Sequence, residues 1–374
     1  MLEKETVRTN FWNIVFFLLL LLLVIVTAVL IMSAQTEEGK PTNTVGAVFI
    51  GSVKDGGWNQ SHFEGLRDAC NELGEELVTV EHVAEELPNC MEAVATLVED
   101  RGCDVVFLTS DGFGSNVKPV VDKYPQVFFY TISPKLKAPN ANMYYGRMYQ
   151  VRYLAGMLAA SKTRTNVLGF VAAKRNPQVN RDVNAYLLGA RRVNPDVVVK
   201  VRLTNAWLDT EKEREAAEKL IDEGGADVIT YHSSERTAIE VAEERGVYSV
   251  GYGRPAEHHD NLLLTSVVFH WKVLYRMIIQ DFLGGKTKLD EPYWRGVADG
   301  VVSIGQFSPM NDRETYKRMR KVKASFEDGW DVFMGEIRRR DGKVMCRRNE
   351  RIGDEALLLD MDWFVKGVIV EGDD

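Results

Sequence analysis

The segment VGAVFIGSVKDGGWNQSHFEG, residues 45–65, contains the features that decide the fold. VGAVFI is an apolar run of strand length, and the spacing of Phe63, Leu66 and Cys70 predicts a helix after it. The residues between the two form the loop at the carboxyl end of a first strand. Ligands of open α/β sheets bind in the crevice beyond such strand ends. The segment therefore predicts an α/β fold with a binding loop after its first strand.

An Asp-Gly-Gly turn at residues 55–57 presents Trp58 at the edge of the predicted sheet. Glycine lets the backbone turn sharply, because it reaches positive φ without steric cost. Ser61 and Glu64 have the spacing of a capping box, which predicts that the helix begins near His62 and leaves Trp58 in the loop. An indole in that loop can stack on a planar ligand. The alternative is that Trp58 only covers the end of the core.

Length, composition and charge limit the classes of function. The chain of 374 residues is 45% hydrophobic and 27% charged, which is typical of a globular protein with room for two domains. Its formal net charge of −8 is spread along the chain, and this argues against nucleic acid as a partner, because such proteins carry a basic face. The sequence contains neither a G-x-S-x-G nor an H-E-x-x-H motif. No catalytic residue and no cofactor are therefore predicted.

The N-terminal region is predicted to anchor the protein in the cell membrane as a single-pass helix. Residues 11–32 form an apolar run that is long enough to cross a bilayer. Because this run is longer than the apolar core of most signal peptides, residues 1–34 are interpreted as an uncleaved anchor, with cleavage near Ser33 as the alternative. Lys4 and Arg8 precede the run and favour a cytoplasmic N-terminus. The rest of the chain is then expected outside the cytoplasm.

After a predicted flexible tether at residues 35–44, strand-like apolar runs alternate with helical patterns. This alternation is typical of parallel sheets that are covered by helices on both faces. The pattern occurs twice in succession, which predicts two lobes, a ligand cleft between them and closure about a hinge. Near the C-terminus, residues 330–346 predict a hairpin with a turn at Asp341 and Gly342.

Neither the cysteines nor the histidines predict a metal site. Cys70, Cys90, Cys103 and Cys346 include no C-x-x-C pair. They are interpreted as small buried hydrophobic residues, and a disulfide among the first three is the alternative. The run EHHD at residues 257–260 is interpreted as a solvated loop, because adjacent histidines rarely face one ion.

Segments in a fixed order between about residues 45 and 370 give the sequence a family resemblance. They are DGGWNQSHFEG, YYGRMYQVRYLAGMLAA, LGFVAA, NAYLLGARRVNPDVVVKV, TNAWLDTEKEREAAEKLIDEGGADVI, AEERGVYSVGYG, LLLTSVV and WRGVADGVVSIGQFSP. Through them the sequence resembles the basic membrane protein family of ABC-transporter substrate-binding proteins, the purine- and nucleoside-binding lipoproteins.

The resemblance implies an α/β, type I periplasmic-binding-protein fold. Such a fold has two doubly wound parallel-sheet lobes joined by a hinge, and here one transmembrane helix is expected before them. The first lobe is expected to comprise residues 45–162 plus about 269–298. The second lobe is expected to comprise residues 163–268 plus about 299–374.

The resemblance also implies that a purine or nucleoside is held between aromatic rings in the cleft. Trp58 of DGGW and Trp207 of NAWLD match the facing rings of the two lobes, and Phe113 of SDGFG matches a further aromatic residue near the base. Polar residues at other strand ends are candidates for contacting the base edge or the sugar hydroxyls. These are Asn59, Asp111, His232 and Tyr252.

Arg254 marks a departure from the family pattern. It follows the strand VYSVGYG, where the family usually has an aspartate pair that binds a ribose or a base. A guanidinium donates hydrogen bonds and cannot accept them, so Arg254 favours an acceptor-rich or anionic ligand group. The candidate ligands therefore include a free base, a different heterocycle and a carboxylated compound in addition to a nucleoside.

The sequence as a whole predicts an extracytoplasmic substrate-binding protein of an ABC importer. It is expected to capture a purine base, nucleoside or similar heterocycle between its lobes by hinge closure and to deliver it to an ABC permease. The first alternative is a membrane-anchored ligand-sensing receptor or regulatory protein on the same fold. The second is a nucleoside-processing enzyme.

Overall fold

The protein is described by a computed structural model that covers most of the chain. The described residues are 18–28, 43–255, 262–308 and 313–372. Residues 44–374 form one compact unit and residues 1–43 another. In the N-terminal unit, residues 18–28 are helical and exposed. Among the described residues, no helix has the length and apolar character that crossing a membrane requires. The remainder of the predicted anchor and the run EHHD lie outside the described residues.

A first sheet of parallel strands takes most of its strands from the N-terminal part of the compact unit. Its strands are β1 (Thr44–Val48), β2 (Glu76–Val80), β3 (Val105–Leu108), β4 (Phe128–Thr131), β5 (Ala141–Gly146) and β11 (Tyr293–Arg295). Within the described residues they lie in the order β11-β5-β4-β3-β1-β2, and each neighbouring pair is parallel. β3 and β5 are buried along their whole length. This explains why they are almost entirely apolar, because a parallel sheet covered on both faces has no solvent-facing side.

Helices cover the first sheet. They are α1 (Trp58–Leu73), α2 (Leu87–Ala95), α3 (Lys118–Lys123) and α8 (Trp271–Leu283). α1 and α8 lie against each other, although about two hundred residues separate them in the sequence. We refer to the first sheet and these helices as the first lobe.

A second sheet belongs to the other half of the compact unit. Its strands are β6 (Val167–Ala172), β7 (Val198–Leu203), β8 (Val228–His232), β9 (Tyr248–Gly253), β10 (Leu263–Phe269), β12 (Val302–Ile304) and β15 (Val368–Val370). They lie in the order β12-β10-β9-β8-β6-β7-β15 in the described part of the chain. All neighbouring pairs are parallel except β10 and β12.

Further helices accompany the second sheet. They are α4 (Met148–Ala160), α5 (Pro177–Arg191), α6 (Thr210–Asp222), α7 (Thr237–Glu244) and α9 (Arg313–Glu327). We refer to the second sheet and these helices as the second lobe. A small hairpin of β13 (Ile337–Arg338) and β14 (Val344–Cys346) confirms the turn predicted at Asp341 and Gly342.

The chain passes between the two sheets three times in the part that is described, after β5, after β10 and after β11. This arrangement of two parallel sheets is the α/β periplasmic-binding-protein-like fold that the sequence predicted. The residue boundaries assigned to the two lobes stay a prediction.

Close contact between α4 and α5 depends on two glycines. A Cβ atom at Gly156 would lie 2.0 Å from the carbonyl oxygen of Tyr186, and one at Gly189 would lie 1.9 Å from that of Tyr153. Only glycine allows the two backbones to approach this closely. The small residues of the sequence YLAGMLAA therefore serve helix packing.

All four cysteines are buried and unpaired. Burial raises the pKa of the Cys70 and Cys103 thiols to about 12, which keeps them protonated at neutral pH. Their interpretation as small hydrophobic residues is confirmed, and the alternative of a disulfide among the first three is wrong for this structure.

Candidate ligand-binding site

A cavity of about 320 Å³ lies between the lobes at the carboxyl ends of their strands, and we call it the central cavity. The predicted site residues that line it are Trp58, Asp111, Trp207, His232 and Tyr252. They come from loops and strand ends of both sheets. The structure thus brings together residues that are up to 194 positions apart, as expected when parallel strands end at one edge.

Trp58 occupies the wall of the first lobe. Its indole Nε1 donates a hydrogen bond to the carbonyl oxygen of Thr109 at 2.8 Å. The ring centroid lies 4.4 Å from that of His62 and 5.5 Å from that of Trp271, both of which are buried. Trp58 is itself half-buried. One edge of the indole is therefore fixed by the first lobe, and the remainder faces the central cavity.

The predicted capping box is wrong, and Asp55 explains why. α1 begins at Trp58 with Gly57 as its N-cap, and the N-cap residue contributes no side-chain hydrogen bond. The carboxylate of Asp55 accepts from the backbone N–H groups of Gly57, Asn59 and Gln60 at 2.8, 3.1 and 3.0 Å. Because the acceptor for the unpaired amides comes from the turn before the helix, the helix begins four residues earlier than predicted.

Trp207 lies on the wall of the second lobe. The carbonyl oxygen of Trp207 accepts from the backbone N–H of Ser234 at 2.9 Å, which ties the loop after β7 to the end of β8. The indole is half-buried, and its Nε1 has no hydrogen-bond partner. The ammonium of Lys174 lies 5.3 Å from the centre of the ring, a cation–π distance. Trp207 is therefore held less tightly than Trp58.

His232 and Tyr252 form the polar floor of the central cavity. The hydroxyl of Tyr252 lies 2.9 Å from Nε2 of His232, and Nδ1 of His232 lies 3.3 Å from the carboxylate of Asp182. Burial lowers the pKa of His232, although the neighbouring Asp182 opposes this effect. The imidazole is therefore neutral at pH 7. Asp182 also lies 3.4 Å from Nε of the buried Arg152, so its charge is shared between two partners.

Two predicted residues do not reach the central cavity. Phe113 is completely buried in a core cluster of the first lobe with Val117 and other aliphatic residues. Asn59 is also buried, and its amide nitrogen donates to the Asp55 carboxylate at 2.8 Å. In this structure Phe113 packs the core, and Asn59 fixes the turn that carries Trp58, so their contact with a ligand stays a prediction.

Arg254 lies beside the central cavity and pairs with the first lobe. Its Nη2 donates to the carboxylate of Glu64 at 3.1 Å, and its Nη1 has no partner. Arg254 lines a compartment of about 890 Å³ that shares Trp58, Ser234 and Tyr252 with the central cavity. Part of the guanidinium that the sequence assigned to an anionic ligand group is therefore used by Glu64.

Several residues of the central cavity were missed by the sequence reasoning. They are Ile50, Ser110, Ile132, Gln178, Ser233 and Ser234. Five of them lie one or two residues after the end of a strand, and strand position could have found them. Gln178 lies in the first turn of α5, and no pattern in the sequence marks it.

The lobes contact each other around the central cavity. Lys174 of the second lobe lies 3.6 Å from the carboxylate of Glu85 in the first. The side chain of Asn176 donates to the carboxylate of Asp111 at 3.3 Å. These contacts join the two lobes beside the central cavity.

The described residues contain no group of histidine, cysteine and carboxylate side chains that could hold a metal ion.

Two parallel-sheet lobes that close over a cavity at their strand ends define a two-lobed solute-binding protein.

Comparison with known proteins identifies the family. The model of the Bmp family, described as ABC transporter substrate-binding protein PnrA-like, matches residues 42–328. The chain is 32% identical to a purine-binding protein of Brucella abortus over 87% of this chain and 92% of that relative. The chain belongs to the basic membrane protein family of ABC transporter substrate-binding proteins, as the sequence resemblance predicted.

Solved structures agree with the fold. A transcriptional activator of the comK gene from Bacillus halodurans superposes with a TM-score of 0.66 at 26% identity, covering 76% of this chain and 98% of that one. A solute-binding protein of an ABC transporter system from Aeropyrum pernix gives 0.65 at 18% identity, with 77% and 92% covered. Proteins of this family bind small-molecule solutes outside the cytoplasm, work with a permease and are not enzymes.

Proposed function

We propose that this protein captures a purine base or nucleoside for an ABC importer. The observation that carries the proposal is that Trp58 of the first lobe and Trp207 of the second line the same cavity. A flat heterocycle between two indoles gains about 1–3 kcal/mol from each stack. The purine-binding relative from Brucella abortus supports this choice of ligand.

The polar residues around the two indoles suit a heterocycle with both donors and acceptors. The carboxylate of Asp111 accepts hydrogen bonds, whereas the amide of Gln178 both donates and accepts. The hydroxyl of Tyr252 contacts Nε2 of His232, and the side chain of Tyr252 also hydrogen-bonds that of Tyr145. These side chains are positioned to contact the edge of a base, while the indoles contact its faces.

A titration of the purified domain tests the proposal. Adenosine, guanosine, inosine and hypoxanthine are titrated by calorimetry, and D-ribose and D-glucose serve as ligands without an aromatic ring. We expect at least one purine to bind and to quench tryptophan fluorescence, and the sugars to bind far more weakly. Binding of a sugar but of no purine would contradict the proposal. Chromatography of the incubated adenosine is expected to show no liberated base.

We also propose that residues 11–32 hold the protein at the membrane surface beside its permease. The support is the length of the apolar run, which matches the thickness of a bilayer. After cell fractionation, the protein is expected in the membrane pellet even after an alkaline wash. Its release by that wash would exclude an integral anchor.

A second candidate function is ligand sensing, which the similarity to the Bacillus halodurans transcriptional activator favours. Uptake of the radiolabelled ligand in cells that lack this protein distinguishes the two candidates. A transport role predicts that uptake is lost, whereas a sensing role predicts unchanged uptake and altered transcription in response to the ligand.

A further inference from the structure

Arg181 of α5 is a buried cation without an anionic partner. Only 3% of the residue is exposed. Its Nη1 donates to the carbonyl oxygens of Leu357 and Pro177 at 2.6 and 3.3 Å, and its guanidinium carbon lies 5.1 Å from the ring centre of Trp294. Its Nε is buried and has no hydrogen-bond partner. Among the described residues, no carboxylate lies within ion-pairing distance of Arg181.

The neighbouring acid forms no ion pair with Arg181. Asp182 directs its carboxylate to Arg152 and His232, at 3.4 and 3.3 Å. Burial lowers the pKa of Arg181, whereas the nearby charge of Asp182 acts in the opposite direction. A guanidinium nevertheless stays protonated in proteins, so the site carries a positive charge. A buried charge without a counter-charge is costly to the fold, and a bound anion would remove that cost.

Arg181 lines a compartment of about 380 Å³ that opens beside the central cavity, and we call it the Arg181 compartment. The two spaces share Asp111, Ile132 and Gln178 in their walls. Lys135 lines the same compartment and is exposed to solvent. The two spaces therefore adjoin at these shared side chains.

We propose that the Arg181 compartment binds a carboxylate carried by the solute, with the Arg181 guanidinium as its partner. This inference rests on the proposed function, because the solute is positioned by the central cavity. A guanidinium matches the two oxygens of a carboxylate. A phosphate monoester carries up to two charges and would require a second buried cation, whereas Lys135 is exposed.

Asp111 in the shared wall separates the two parts of the ligand. Its carboxylate accepts from Asn176 at 3.3 Å and repels anions from its own surroundings. The uncharged ring with its N–H or O–H donors therefore belongs beside Asp111. The anionic substituent belongs at Arg181.

Matched ligand pairs test the inference on the full chain. Adenosine is compared with adenosine-5′-carboxylate and with adenosine 5′-monophosphate, and uracil is compared with its carboxylated form, orotate. Calorimetry is carried out on the unmodified protein, Arg181→Met and Arg181→Lys. Arg191→Met is the matched control, because Arg191 lies at the end of the same helix and donates to the carbonyl oxygens of Val197 and Lys366.

We expect the carboxylated member of at least one pair to bind about tenfold more tightly than the neutral member, as charge-assisted hydrogen bonds allow. Arg181→Met should remove that preference while keeping affinity for the neutral ligand, Arg181→Lys should retain part of it, and Arg191→Met should leave it unchanged. Thermal midpoints without ligand show whether each variant is folded.

Three results would overturn the inference: no preference in either pair, a preference that persists in Arg181→Met, or tighter binding of the monophosphate than of the carboxylate. The pyrimidine pair separates this inference from the proposed function. If orotate is preferred in an Arg181-dependent way while no purine binds, the purine assignment fails and the role of Arg181 stands.

Discussion

Gly57 provides a test of lobe closure that does not depend on the identity of the ligand. A Cβ atom at Gly57 in the first lobe would lie 1.9 Å from the carbonyl oxygen of Ser234 in the second. Real Cβ contacts essentially never fall below 3.0 Å, so Gly57→Ala must separate the two backbones by more than about 1 Å. The φ of Gly57 is −125°, so alanine meets no left-handed strain there.

The affinity loss follows from the geometry of the two indoles. A solute between lobes that are held apart keeps its contact with Trp58 or with Trp207, and loses the other. The lost stack is worth about 1–3 kcal/mol. We therefore expect Gly57→Ala to raise the dissociation constant about 5- to 150-fold.

Calorimetric titration with the tightest ligand of the screen measures the effect. Gly353→Ala is the matched control, because a Cβ atom there meets nothing within 4 Å and the residue is exposed. Both variants should keep the unliganded thermal midpoint of the unmodified protein. If the dissociation constant of Gly57→Ala stayed within twofold of that of the unmodified protein, closure of the lobes across the contact between Gly57 and Ser234 would be refuted.

Two further predictions concern stability. Trp207→Ala should abolish ligand-induced quenching and leave the unliganded thermal midpoint almost unchanged, whereas Trp58→Ala should also lower the free energy of unfolding, by about 3 kcal/mol, because it loses the Thr109 hydrogen bond and buried ring contacts. If urea titrations gave Trp58→Ala and Trp207→Ala the same loss in free energy of unfolding, Trp58 would not be held more tightly than Trp207. Burial raises the pKa of Glu213 from 4.5 to about 7. Between these two pH values the carboxyl is protonated in the folded protein and ionised in the unfolded chain. The free energy of unfolding therefore falls as pH rises from 4.5 to about 7. At about 1.4 kcal/mol per pH unit, Glu213→Gln should gain about 2 kcal/mol relative to the unmodified protein between pH 5 and 7.5. A constant difference in urea unfolding would show that the Glu213 carboxyl does not titrate there.

The two walls of the cleft differ in a way that bears on function. Trp58 is fixed by a hydrogen bond and by the rings of His62 and Trp271, whereas Trp207 has a free Nε1 and lies in a loop. A preorganised ring on one lobe reduces the ordering cost of the first contact. We expect the solute to bind the first lobe before the second closes over it.

The C-terminal residues contribute to the site although they lie beyond the segment that matches the family. The family match ends at residue 328. After it, β15 adds an edge strand to the second sheet, and Leu357 supplies the carbonyl that holds Arg181. The C-terminal segment thus buries the cation that we assign to the carboxylate.

The sequence alone determined the fold class, because it depends on local signals, and the family resemblance pointed to the two indoles. Hydrophobic periodicity showed the alternation of strands and helices, and the position of a residue after a strand placed Trp58, Asp111, Trp207 and His232 at one edge. Such signals extend over a few residues only. They were sufficient to predict a cleft between two parallel sheets.

Only the tertiary structure decided which polar and aromatic groups remain available to a ligand. Arg254 is paired with Glu64, which lies 190 residues earlier, and Arg181 is covered by a segment 176 residues later. Phe113 packs in a core that no local pattern distinguishes from the cleft. Contacts between residues so far apart are set by how the elements pack in space. A side chain that already has a partner in the fold leaves the ligand fewer donors and acceptors, so local sequence could not show which groups stay available.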